Sequence, residues 1–350
     1  MERKSAIHPS QRSTYRIVGT PRELEILDLL QRFDVLPSHY VKAWVGKESA
    51  TADRLTRLLQ GNYINILEGK GVWCQVCQRE HPFSEDAWDF ARLRNVYYPL
   101  SIWPKGKALL AKRGLWVERK RQSDEFDHKM FRSIVDWSFA YGAREIGAAY
   151  ETLTGILPRA PWRATKEDPD PSHIKVHNMS DLVPDSFVKI EDPQAFFAHI
   201  EIDNNTETQY GKGAENTIQG KVKRYAQYLR ERGFNKRYGL PKITILFFFN
   251  RKGRVQTFLD VVRDTVKEPD VRQRFAAMYV PDFRDSFPPP TGFALTNNYE
   301  RMGEPLNILE IVNGKRESSQ NLRASRDHQE GRSRAGASHG RDPEARQTAS

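Results

Sequence analysis

The 350-residue chain has only two cysteines, Cys74 and Cys77, and both fall in one Cys-x2-Cys. Two thiols are too few for a disulfide framework. No apolar run approaches the roughly 20 residues that a membrane-spanning helix requires. The start, Met1-Glu2-Arg3-Lys4, is polar and lacks the apolar core of a signal peptide. A soluble, cytoplasmic protein with no membrane partner is the expectation. No Gly-x4-Gly-Lys loop is present, so ATP use is not expected. Internal repeats are also absent.

What the chain does have is an excess of base in one place. The net charge is +10. Residues 1–120 hold 20 Lys and Arg against 13 Asp and Glu, whereas residues 121–314 hold 27 of each. A phosphate-contacting module would need that excess in the N-terminal third; an ordinary basic surface is the plainer alternative.

The helix signals of that third are clear. Residues 1–19 are polar and read as a flexible N-terminus. Thr20-Pro21-Arg22-Glu23 then carries an N-cap, a proline at the first position and a glutamate three residues after the cap. Leu24, Leu27, Leu30 and Phe33 follow at helical spacing. A second helix fits Ser38 to Val45. A third fits Ser49 to Gln60, with Leu55, Leu58 and Leu59 inward and Gly61 as its stop. This phase leaves Thr51, Arg54, Thr56 and Arg57 for an outer, DNA-facing side. Alternating runs at 62–67 and 96–102 predict two strands of a wing, and Pro104 to Arg113 a closing helix. The expectation for residues 20–118 is a winged helix-turn-helix that binds double-stranded DNA, with a long wing insert at 68–95. Modules of this shape also bind proteins. Within the insert, Cys74, Cys77 and His81 have the spacing of half a structural zinc site; no second cysteine pair completes it.

Residues 119–314 predict a mixed α/β domain, and residues 315–350 a disordered basic tail, too poor in apolar residues to offset chain entropy. A long helix fits Asp124 to Tyr150. Pro184-Asp185 leads into the run Ser186–Ile190, a turn follows at Glu191-Asp192-Pro193, and a second apolar run ends in Glu201-Ile202-Asp203. Lys242 to Phe249 reads as a central strand buried on both faces, Phe275 to Val280 as another, and Gly292 to Thr296 as an edge. Glu201 and Asp203 are two apart on a strand and share a face. Asp185 converges on them if the two strands pair. Three carboxylates so placed repel one another unless a cation joins them, and hard oxygen donors suit Mg²⁺ or Mn²⁺. The bland reading is a set of solvated acids on an edge strand.

Pro184-Asp185 followed by Glu201-Ile202-Asp203 resembles the strand–turn–strand core of the PD-(D/E)xK (restriction-endonuclease-like) superfamily. With Thr206-Glu207 and Lys221…Tyr225, the stretch is similar to the replication-relaxation family, in which a winged helix-turn-helix precedes a nuclease-like domain, and which includes relaxase-type proteins of mobile plasmids. The resemblance spans roughly residues 20–265. It implies Asp185, Glu201 and Asp203 as metal ligands and Lys221, or less readily Lys223, as the catalytic cation supplied from a helix, because Asp203 stands where the superfamily pattern has lysine. The stripe Ile218, Val222, Tyr225 and Leu229 puts Lys221 beside the buried face and Lys223 about 200° away, toward solvent. His128 matches a histidine found early in the preceding helix of that family, and Glu145 is a candidate for the extra acid that helix often carries. The function implied is nicking or relaxing DNA in replication or mobilisation of a mobile element, by metal-dependent phosphodiester chemistry. The alternative is a catalytically inactive DNA-binding regulator on the same fold. A homodimer is compatible with either.

Overall fold

The computed structural model describes residues 17–46, 48–66, 72–74, 79–81, 96–97, 99–117, 126–204, 217–281 and 289–314. The expectations for the flexible N-terminus through residue 16, for Cys77, for most of the wing insert and for the tail lie outside the described residues.

The N-terminal module runs α1 (Pro21–Phe33), β1 (Val35–Pro37), α2 (Ser38–Val45), α3 (Glu48–Gln60), β2 (Ile64–Ile66), β3 (Val72–Cys74), β4 (Arg79–His81), β5 (Val96–Tyr97), β6 (Pro99–Ile102) and α4 (Pro104–Lys112). Its first turn is built as the sequence predicts. Thr20 Oγ1 accepts from Glu23 N, and Glu23 Oε2 accepts from Thr20 N at 2.8 Å, so two otherwise orphaned helix-end donors are satisfied. β2 and β6, which contain the runs expected as wing strands, pair antiparallel, and β1 joins on the other edge of β6 to give the order β1-β6-β2. The sequence reading missed β1, which is three residues long and contains Pro37. Proline is tolerated there because β1 is an edge strand. Strands β3 and β4 of the insert form a second small sheet with β5, so the single strand expected over 96–102 is split: Val96–Tyr97 pairs with β3 and Pro99–Ile102 with β2.

The rest of the chain follows as α5 (Phe126–Ile146), β7 (Ala149–Glu151), α6 (Leu153–Ile156), β8 (Ser186–Glu191), β9 (Ala195–Asp203), α7 (Ile218–Arg230), α8 (Gly233–Tyr238), β10 (Thr244–Phe249), α9 (Lys252–Thr265), α10 (Pro269–Arg272), β11 (Phe275–Tyr279), α11 (Phe293–Thr296), β12 (Asn298–Arg301) and β13 (Leu306–Asn307). Seven strands make one mixed sheet in the order β13-β12-β11-β10-β9-β8-β7. β7, β8 and β9 form an antiparallel meander, while β10 runs parallel to both β9 and β11. Those parallel pairings require crossovers, which α7 with α8, and then α9, supply.

Two expectations are corrected here. The long helix stops at Ile146 rather than reaching Tyr150, because Gly147 takes a left-handed φ of 74° and the chain turns into β7. Residues 293–296 form the short helix α11 and not an edge strand; β12 and β13 complete that side of the sheet.

The sheet divides the core by its period of two. Leu246 and Phe248 of β10, with Ala198, Ile200 and Ile202 of β9, join one cluster. Ile245, Phe247 and Phe249 join another beneath α7, α8 and α9. The first cluster continues without a break into the N-terminal module, because α5 lies between the two. Trp137 of α5 is fully buried against Tyr40 of α2, ring centroids 4.7 Å apart, and stacks on Tyr141 at 4.4 Å. Ser133 Oγ donates to Phe33 O, at the end of α1.

On its other side α5 meets α11 through two glycines. A Cβ on Gly142 would lie 3.1 Å from Gly292 Cα, and one on Gly292 would lie 2.5 Å from Gly142 Cα. Ser138 Oγ locks the contact, donating to Thr291 O at 2.8 Å and accepting from Ala294 N at 3.0 Å. Gly142→Ala is therefore expected to destabilise the protein by about 1–3 kcal/mol through overpacking. Gly253→Ala, where a Cβ meets nothing within 4 Å, is expected to be neutral or stabilising by up to about 1 kcal/mol. Urea unfolding of both variants checks the contrast.

Candidate functional site

The polar centre of the second domain grows from β9. Its even-numbered residues face the α5 side, so His199, Glu201 and Asp203 share the opposite face, beneath α7 and α9. All three are buried, at 1, 2 and 2% exposure. A carboxylate in such a place is costly unless it is paired and hydrogen-bonded, and each residue has partners. Lys221 Nζ lies 2.7 Å from Glu201 Oε2, and Tyr225 OH donates to Glu201 Oε1 at 2.5 Å. Lys221 and Tyr225 are four apart on α7 and therefore on one face. Lys223 is exposed. Arg254, near the start of α9, pairs with Asp203 Oδ2. His199 Nε2 sits 3.4 Å from Tyr228 OH; burial, then the charge of Arg237, drives its pKa down to about 3, so its imidazole is neutral.

Asp185 enters from the start of β8. Its backbone N donates to Ile200 O at 3.0 Å, and its Oδ2 accepts from Ile202 N at 2.8 Å. Pairing of the β8–β9 hairpin thus brings Asp185 beside Glu201, as the sequence reading required. Oδ1 is 2.8 Å from His128 Nε2, on the first turn of α5. Unlike Glu201, Asp185 retains access to solvent, with 19% of its side chain exposed.

Opposed forces set the charges. Burial pushes the Glu201 carboxyl up to about 7; the Lys221 ammonium pulls it down, and Asp185 adds to the rise. For Asp185 burial is again the largest influence and is upward, but the His128 hydrogen bond and charge, with Lys221 and the Ile202 amide, outweigh it and hold it below the usual carboxylate range. His128 is raised: burial alone would lower it, and the bond to Asp185 wins.

The three carboxylates expected to hold one metal do not form a single group. Asp203 turns to Arg254, and no cluster of three or more His, Cys, Asp or Glu side chains able to hold a metal occurs among the described residues. The residues that sequence reasoning did not assign to the site are Tyr225, Arg254 and, as a direct partner of Asp185, His128. His128 and Asp185 are 57 positions apart, and no periodicity links them. Tyr225 was legible as part of a buried stripe and as the end of the Lys221…Tyr225 stretch, but not as a partner of Glu201. Glu145 is exposed, 17 residues along α5 from His128 and so about 26 Å away along the axis.

In the N-terminal module, Thr51 is corrected. It is fully buried, its hydroxyl donating to Gly46 O at 2.5 Å, because positions 51, 55 and 58 are one helical stripe and Leu55 and Leu58 define the inner face. Arg54 reaches back to the α1 cap, 2.9 Å from Thr20 Oγ1 and 3.5 Å from Glu23 Oε1. The Thr56 hydroxyl bonds Ala52 O at 3.1 Å, and Arg57 is exposed. Of the zinc candidates, Cys74 and His81 lie on β3 and β4, two register positions apart, since Cys74 pairs with Arg79 and Val72 with His81.

Comparison of the chain with family models, with curated proteins and with solved structures gives no match. No helix among the described residues is long and apolar enough to cross a membrane.

A pH dependence follows from the carboxylate geometry. With Glu201 raised from an ordinary 4.5 to about 7, the folded state holds the extra proton over that window. Its contribution to stability is full below about 4.5 and lost as pH rises through 7. His128, also raised, acts in the same direction. Asp185, depressed, contributes fully above the ordinary carboxylate range and does not offset them. His199, depressed from 6.5 to about 3, acts the other way and adds stability as pH rises towards 6.5, so the Glu201 share is read as a difference: in chemical denaturation the wild type should lose about 1–3 kcal/mol relative to Glu201→Gln between pH 5 and 8. An equal slope in both proteins would remove Glu201 as its source.

Proposed function

We propose that the chain is a DNA-processing protein of the replication-relaxation type, in which the N-terminal module binds duplex DNA and the second domain acts on a phosphodiester with a divalent metal. The observation that carries this reading is the Lys221–Glu201 pair beside Asp185: an acid from one strand, an acid from the next and a lysine from the following helix, met at one end of a hairpin. Lys221 supplies from α7 the cation that Asp203 cannot.

The donor set fits Mg²⁺ or Mn²⁺. Asp185 and Glu201 offer hard oxygens, each with a lone pair beyond its present hydrogen bond, and two carboxylates with substrate oxygens are a usual magnesium shell. Asp203, answered by Arg254, is left out of that set. The bound metal would polarise the phosphate and lower the pKa of an attacking water. The chain's own groups then have separate tasks. His128 and the Ile202 amide orient the Asp185 carboxylate, Tyr225 orients that of Glu201, and Lys221 stabilises the negative charge that develops on the phosphate. A binding-only regulator on the same fold is the second reading. It is favoured by the Asp203–Arg254 pair, which uses the strand position of the missing lysine for an internal contact.

Thermal unfolding with and without millimolar Mn²⁺ separates the two. Mn²⁺ should raise the Tm of the wild type by mass action and leave that of Asp185→Ala unchanged; no metal-induced rise in either protein would leave the binding-only reading. The DNA arm is a shift assay at two salt concentrations. Arg57→Ala should weaken duplex binding by about 1–3 kcal/mol if it reaches a base edge, and less if it touches phosphate. Unchanged affinity would exclude α3 as the contacting helix.

A further inference from the structure

Among the described residues, several cations packed inside the second domain are answered by carboxylates. Arg237 has Asp168, Arg254 has Asp203, Lys189 has Glu151 and Glu191, and Lys221 has Glu201. Arg224, 8% exposed, has no carboxylate partner among the described residues. Its guanidinium donates to Ser180 Oγ at 2.8 Å, and its Nε is buried without a partner. A guanidinium carries five donors and a charge that cannot be shed by deprotonation. Holding it out of water with one neutral hydroxyl leaves most of that cost unmet. An anion belongs there.

The position says which anion. Arg224 is three residues from Lys221 on α7, so the two side chains stem from one face with Cβ atoms roughly 5–6 Å apart. One of the pair is engaged with Glu201 and the other is open. Ser180 accepts from Arg224, which leaves its hydroxyl proton free to donate. The guanidinium fork with an adjacent hydroxyl donor suits the tetrahedral, several-oxygen face of a phosphate. Ser180 is also only five residues ahead of Asp185, beside the exposed Met179 and Asp181, so the pair opens at the surface near the same acidic centre.

We propose that Arg224 and Ser180 form a phosphate-binding subsite that holds a backbone phosphate of the nucleic acid next to the one presented to Asp185, Glu201 and Lys221. The role of the neighbouring phosphate rests on the DNA-processing reading; the anion site itself does not. It fixes the register of the strand, as phosphate contacts do, without reading sequence.

Two measurements on the full chain test it. In the first, the probe is inorganic phosphate at millimolar concentration, with chloride and acetate at matched ionic strength as comparisons. Phosphate should raise the wild-type Tm above both, and Arg224→Met, which keeps the apolar stem, should lose that rise. An equal phosphate effect in both proteins, or an acetate effect as large as that of phosphate, would overturn the site. If Arg224→Met does not fold, Arg224→Lys and Ser180→Ala serve in its place, each with a reduced rise; an undiminished rise in both would equally overturn it. In the second, the salt dependence of DNA affinity is compared. Arg224→Met should lower the slope of log K against log salt by about 1. An unchanged slope in Arg224→Met would remove the nucleic-acid role. A phosphate effect that depends on Arg224, in a protein that neither binds DNA nor is stabilised by Mn²⁺, would keep the anion site and discard the function proposed above.

Discussion

Glu201 is the constraint around which the second domain is arranged. It lies 2% exposed on β9, near the middle of a seven-stranded sheet, where an unanswered carboxylate would cost several kcal/mol. Lys221 and Tyr225 answer it from α7, and their four-residue spacing fixes which face of that helix looks at the sheet. The remainder of that face, Ile218, Val222 and Leu229, packs with Phe247 and Phe249 of β10, so one polar pairing and one apolar stripe dock the same helix. Asp203 repeats the solution one step along the strand with Arg254 of α9. The two crossover helices are thus each pinned to β9 by a carboxylate.

The opposite face of the sheet ties this centre to the N-terminal module. Helix α5 begins with His128 on Asp185, continues with Ser133 on the end of α1, buries Trp137 against Tyr40 and ends with Arg144, whose Nη1 donates to Trp44 O at 2.7 Å. One rigid element therefore touches both the acidic centre and the module that carries Arg57. A displacement of the module can reach Asp185 through α5 with no intervening loop.

Strands and caps were legible in the sequence because local rules govern them. The Thr20–Glu23 box, the hairpin that joins Asp185 to Glu201 and the doubly buried run of β10 depend on residues close together in the chain. The register of Glu201 and Asp203 came from the period of two, and the choice of Lys221 over Lys223 as the residue beside Glu201 from the 100° step of a helix. Other features depend on distant packing. His128 and Arg254 meet their carboxylates across 57 and 51 positions, and nothing in spacing marks them. Asp203 looked like a third metal ligand because its face was read correctly while its partner on α9 was invisible. Thr51 misled for a simpler reason: a small polar residue on an inner helical stripe resembles an outer one when polarity alone assigns the face. Gly147 and Gly292 misled likewise, since a helix stop and a close helix contact are set by φ and by the neighbour, and an apolar run shows neither.

The central claim is that Asp185, Glu201 and Lys221 together act on a phosphodiester. Its most direct test is conversion of supercoiled plasmid to open circles, followed on gels for wild type and Glu201→Gln with saturating Mn²⁺. The account predicts nicking by the wild type only when the metal is present, and none by Glu201→Gln at matched stability. Intact supercoiled plasmid with the wild type, or nicking by Glu201→Gln at the wild-type rate, would contradict it.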